Sequence, residues 1–180
     1  GLLADITSYY PDGEATFHPG PWSSTQVDGT TRGIPLNSNN LALYYNLDKF
    51  EAAGLEAPTT WAELTETATA LSGNGEFGIA MSAIKNEQGT FQFLPFLWQT
   101  GGDLDTFATD GATALEYLKS LVDAGAMSSA VANYSQEDAR TQFVTEKVAM
   151  MINGPWELQN LKEAGINFGV TFLPMDAEYG

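Results

Sequence analysis

The chain has 180 residues, 43% of them apolar, with 23 acidic side chains against 7 basic ones and a net charge of −16. A length of this order buries roughly 70% of the surface that the unfolded chain exposes, which suits one domain or two small ones. So acidic a surface repels phosphate backbones, which sets nucleic acid aside as a partner, and a chain with no Cys has no disulfide or thiol chemistry. No apolar run approaches the roughly 20 residues of a membrane-spanning helix. With one histidine, His18, in the loop Phe17-His18-Pro19-Gly20-Pro21, neither a metal site nor a cofactor is expected.

In chain order, Gly1 to Tyr10 reads as the tail of a helix or a docking segment, and Tyr10 to Thr31 as loop rich in Pro, Gly, Ser and Thr. Asp28-Gly29 is a hairpin turn signal, with Arg32 to Leu36 as the second strand and Pro35 keeping it from a central place in a sheet. The amide-rich Leu36 to Asn40 leads into an apolar strand, Leu41 to Tyr45. Asn46 then caps a helix that Gly54 ends. Thr60-Trp61-Ala62-Glu63 fits a capping box, and Trp61, Leu64, Ala68 and Leu71 follow at helical spacing, so Trp61 is a packing residue.

Phe77 to Ser82 is a second buried strand and Ile84 to Thr90 a polar loop. Phe91 to Gln99 is an aromatic helix despite Pro95, with Phe93, Phe96 and Leu97 in the core. Phe91 and Gln92, at its start beyond a strand end, are placed to face a ligand. Asp110 is the expected cap of a helix over Ala112 to Ala124 with Leu115, Leu118, Leu121 and Val122 on one face and Gly125 as its stop. Ser135 caps another through Phe143.

Val148 to Ile152 has the length and composition of a strand covered on both faces. Asn153-Gly154-Pro155 turns the chain, and a helix with Leu158 and Leu161 on one face runs to Gly165. A last strand spans Phe168 to Leu173. Alternating helices and short apolar strands predict an α/β layered domain, its largely parallel or mixed sheet flanked by helices. Trp156 falls in the first helical turn at a strand's carboxyl end, where α/β sheets bind ligands. Geometry leaves two readings open, a ligand-facing indole and one packed under the helix.

Catalytic signatures are absent. There is no nucleophile elbow, Walker loop or HExxH, and the GNGEFG run at Gly73 precedes a strand instead of following one. Paired carboxylates could serve glycoside hydrolysis, but Glu63 and Glu116 fall on helix faces or caps and no spacing singles out an acid and a base. What stands out is a set at predicted strand ends: Asn37, Asn39, Phe91, Gln92, Asn153 and Trp156. Aromatic faces pack on the C–H faces of sugar rings and amides both donate to and accept from hydroxyls, which is the chemistry of a carbohydrate site. For the asparagines alone, turn formation and capping explain the pattern equally well. The expectation is a binding protein and not an enzyme; a carbohydrate-processing enzyme or an accessory carbohydrate-binding domain is the alternative.

GIPLNSNNLALYYNLDKFEAAGLEAPTTWAEL, FLWQTGGDL, FVTEKVAMMINGPWELQNL and NFGVTFLP, in that order, resemble the extracellular solute-binding proteins of ABC importers, in their maltose-binding-protein-like group. The resemblance implies a periplasmic-binding-protein-like fold of two α/β lobes that close on a sugar or oligosaccharide, an extracytoplasmic location, and ABC permease membrane subunits as partners. It implies that this chain is mainly one lobe of two with hinge strands, lacking the first half of the N-lobe of the same protein and its C-terminal helices. Residues 1–35 would be a residual N-lobe and hinge segment, 36–168 the C-lobe, and 169–180 the hinge return. Trp156 matches the family's sugar-stacking tryptophan and Phe91 an aromatic stacking position, with Gly154 beside them in the site. Asn39 and Gly89 match places where maltose-binding relatives carry carboxylates. Glu146 stands where the family usually has glycine.

Overall fold

A computed structural model describes residues 2–175. The chain forms two compact units that meet in sequence at Asn40 and Leu41.

The first unit holds a 3-10 turn at Thr7–Tyr9, α1 (Gly13–Thr16), α2 (Pro19–Ser23), β1 (Gln26–Val27) and β2 (Thr30–Thr31). His18 is exposed, and its extended backbone precedes Pro19, the first residue of α2. Asp28 and Gly29 both take positive φ, 51° and 72°, as a two-residue type I′ turn demands. Such a turn sends the chain straight back, so the second strand is Thr30–Thr31, paired with Val27 and Gln26, and not Arg32 to Leu36 as expected. Residues 33–40 carry no strand, and Asn37 and Asn39 are exposed there.

The second unit begins with β3 (Ala42–Asn46), α3 (Leu47–Ala53), α4 (Trp61–Ala70) and β4 (Phe77–Ala80). It continues with α5 (Glu87–Gln99), α6 (Ala112–Asp123), α7 (Gln136–Val144), β5 (Val148–Asn153), α8 (Leu158–Ala164) and β6 (Phe168–Thr171). The strands make one mixed sheet in the order β4-β5-β3-β6. β4 and β5 are parallel, while β3 runs antiparallel to β5 and to β6, with Ala42 opposite Asn153. All six residues of β5 are buried, as a strand covered on both faces requires. Leu43, Ile79, Met150 and Ile152 pack with Phe50, Trp61, Leu64, Phe96 and Leu121 from α3, α4, α5 and α6. Tyr44, Ala80 and Met151 point the other way, onto Ala139 and Phe143 of α7 and Leu161 of α8. The expected layered α/β lobe is present. β6 belongs to it, and residues 176–180 of the expected return segment lie outside the described residues.

Local chemistry explains most boundaries. Asn46 caps α3 by accepting from the Lys49 N–H at 3.0 Å, and Thr60 and Glu63 complete the capping box of α4. Two helix starts differ from expectation. α5 starts one turn early because Asn86, inside the expected loop, accepts from the Gln88 N–H at 2.9 Å and caps it. Asp110 caps nothing: a π-helical turn, Phe107–Gly111, runs directly into α6, so the backbone is already helical where a cap would need it extended. In α6 Ala114 and Leu121 are buried, while Leu115, expected on the same face, is exposed.

Three helices end in the same Schellman hydrogen-bond pair, α3 at Gly54, α6 at Gly125 and α7 at Glu146. Glycine meets the left-handed backbone at no cost in the first two, but Glu146 holds φ 57° with a side chain attached. A left-handed L-residue costs roughly 1–2 kcal/mol, partly offset because glycine adds unfolded-state entropy. Glu146→Gly is therefore expected to raise the unfolding free energy by about 0.5–1 kcal/mol in urea denaturation; a loss of stability would show that the Glu146 side chain contributes more than the strain costs.

Candidate functional site

The parallel strands β4 and β5 end side by side, and the chain leaving each one builds the site. After β5 the backbone passes through Gly154 into a 3-10 turn, Pro155–Glu157, and then α8. Pro155 opens that turn with its φ already set and no N–H to satisfy. Trp156 rides on it with 36% of its surface exposed, between the buried Gly154 and the 2% exposed Glu157. The half-buried Phe91 of α5 meets Trp156 with ring centroids 6.2 Å apart and planes tilted by 39°. The indole is thus half of an aromatic pair that stays partly open to solvent.

The turn is held from below. The Tyr44 hydroxyl donates to the Gly154 carbonyl at 2.8 Å, and the same carbonyl accepts from the Glu157 N–H at 3.1 Å. The Gly154 N–H donates to Asn153 Oδ1 at 3.0 Å, and Asn153 Nδ2 donates to the Gln136 carbonyl at the start of α7. The buried Glu157 carboxylate accepts from Arg140 Nη1 at 3.1 Å and from Asn160 Nδ2 at 2.9 Å. On the Phe91 side, Gln92 accepts from the Ser82 N–H at 2.7 Å and donates to the Ile152 carbonyl at 3.1 Å, binding α5 to the ends of both strands.

Of the seven expected ligand contacts, Phe91, Gln92, Asn153, Gly154 and Trp156 are thus brought together in the second unit, while Asn37 and Asn39 lie in the first. Gln92 and Asn153 are fully buried, and both ends of each amide are engaged within the protein. Gln92 is there because α5 begins at Glu87: the residue expected at the helix start sits a turn inside, on the face toward the sheet. Sequence reasoning did not find Tyr44, Arg140 or Glu157. A tyrosine in an apolar strand and charges on helices usually signal packing and a solvated face, and no local pattern marks an ion pair made across 17 residues.

Burial, and then the nearby Glu157 carboxylate, push the Tyr44 phenol from 10 up to about 12. The folded protein therefore holds this proton more tightly than the unfolded one. Its contribution is complete below about pH 10 and is lost as the pH rises from about 10 through 12. Against Tyr44→Phe, the wild type is expected to be more stable by about 1 kcal/mol at pH 7 to 9, from the Gly154 hydrogen bond. Denaturation curves should show that margin shrinking above about pH 10; a margin unchanged at pH 11 would contradict a buried, neutral phenol.

The sequence matches the family of bacterial extracellular solute-binding proteins over residues 1–179. A binding protein of Brucella abortus (strain 2308) is 30% identical over 164 residues, covering 84% of this chain and 40% of that protein. The sn-glycerol-3-phosphate-binding periplasmic protein UgpB of Rhizobium meliloti (strain 1021) is 24% identical, covering 100% of this chain and 43% of its own length. Among solved structures, maltose-bound MalE3 of T. maritima superposes with a TM-score of 0.83 at 30% identity, over 99% of this chain and 49% of that one. This chain spans less than half the length of each. It belongs to the bacterial extracellular solute-binding proteins.

Proposed function

We propose that this chain is the sugar-binding lobe of the solute-binding component of an ABC importer, and that Trp156 with Phe91 is the platform on which a sugar ring stacks. The observation that carries the reading is the solvent-open indole, braced against Phe91 at the carboxyl ends of two parallel strands. A protein of this kind works outside the cytoplasm. Ligand held by both lobes stabilises the closed form, because only there are both sets of contacts made, and the permease recognises that form. No bond is made or broken, and the chemistry required is stacking and hydrogen bonding.

Charge favours a neutral saccharide over a phosphorylated solute. A chain of net charge −16 repels a phosphate dianion at long range. The test is a thermal-shift screen of the complete protein against maltose, laminaribiose, acarbose and sn-glycerol 3-phosphate. A ligand at about 100 times its Kd adds roughly 2.7 kcal/mol to stability, a shift of several degrees. A saccharide is expected to give it. A shift with sn-glycerol 3-phosphate alone would replace the sugar reading, and turnover of a glycoside would return the enzyme alternative.

A further inference from the structure

Gly154 does not need to be glycine for its backbone. Its φ of −113° and ψ of 177° are ordinary extended values that any residue adopts. The constraint comes from a neighbour: a β-carbon built on Gly154 would stand 2.1 Å from Cη2 and Cζ3 of Trp156 and 2.5 Å from Cε3. The six-membered ring of the indole occupies the space in which a side chain would begin. The peptide beneath cannot give way, because its N–H is held by Asn153 and its carbonyl by both Tyr44 and Glu157. An added methyl group must therefore displace the indole and not the turn.

We propose that Gly154 is a positioning residue for the aromatic platform: the absent side chain lets the Trp156 ring settle on the strand end, and so sets its height and its 39° tilt against Phe91. Gly154 then acts on ligand through Trp156 and not by its own contact. This rests on the sugar platform for its functional consequence, but the placement of the ring can be measured without ligand. Stacking energy depends on ring separation and offset, so a platform moved by an ångström or more loses much of its value while the fold keeps its bonds.

The experiment uses the complete protein as wild type, Gly154→Ala, Trp156→Ala and the double variant. In ¹H–¹⁵N spectra without ligand, the indole N–H resonance that Trp156→Ala removes identifies Trp156. Gly154→Ala is expected to shift that resonance more than any other indole signal, with the melting temperature within about 2 °C of wild type. Calorimetry with maltose, laminaribiose and acarbose is expected to show affinity down about tenfold or more in Gly154→Ala, and less than twofold further loss when the same change is made in Trp156→Ala. An unmoved indole resonance overturns the inference whatever the sugars do, and so does an equal affinity loss in both backgrounds. A moved resonance in a wild type that binds no saccharide leaves the inference standing and removes the sugar reading. Should Gly154→Ala fail to fold, the double variant is expected to fold, because the ring that the methyl group meets is gone. A double variant that also fails to fold overturns the inference.

Discussion

Replacing Arg140 with Met is expected to lower the unfolding free energy of the second unit by about 3 kcal/mol. Glu157 is 2% exposed, and its carboxylate is held by Arg140 Nη1 at 3.1 Å with Asn160 as its other partner. Methionine preserves most of the side-chain volume, so the loss isolates the charge. Removing one member of a buried pair typically costs 3–5 kcal/mol because the remaining ion stays out of water without compensation. The lower end applies here, since 28% of the Arg140 side chain is exposed and the pair is partly screened. Changing Glu157 to Gln in the same molecule removes the stranded charge, and about half of the loss should return. Urea denaturation checks both, and a cost under 1 kcal/mol for Arg140→Met would show that the pair contributes no more than a surface ion pair.

Gln92→Leu tests the other half of the support and is expected to cost about 2–4 kcal/mol. Leucine is close in size and apolar, so packing changes little. The Ser82 N–H and the Ile152 carbonyl, however, both lose their partner in a fully buried place. Each buried polar group left unpaired costs about 1–3 kcal/mol. The effect should reach beyond stability, because this amide fixes α5, and with it Phe91, to the ends of both strands. Loss of protection in hydrogen exchange is expected to concentrate at Ser82 and the start of α5. Unchanged stability would mean that the two backbone groups find other partners once the amide is gone.

The two variants mark where sequence reasoning held and where it failed. The buried run at Val148, the capping box at Thr60, the Asn46 cap and the glycine stops were legible because each is a local agreement between residue type and backbone. The early start of α5 was missed because Asn86 stands in a polar stretch that reads equally well as loop. The missing Asp110 cap has a different origin, a π-helical turn over Phe107–Gly111 that makes the backbone helical before the expected cap is reached. At the site, position at strand ends singled out Phe91 and Trp156, and the structure brings their rings together. The amides beside them were also picked out, but for a role that their surroundings deny them. Asn and Gln look alike in sequence whether they meet a ligand or close a hydrogen-bond circuit, and only burial separates the two. The buried pair of Arg140 and Glu157 left no trace in sequence because its members lie on separate helical elements.

The central claim is that Trp156 is a sugar platform, and calorimetric titration of the complete protein tests it most directly, using the saccharide that gives the largest thermal shift. Trp156→Ala is expected to weaken binding by about 1–3 kcal/mol, on the order of tenfold to a hundredfold in Kd, because a stacking face and its apolar contact area are lost together. A Trp156→Ala protein that binds the saccharide within twofold of wild type would contradict the account.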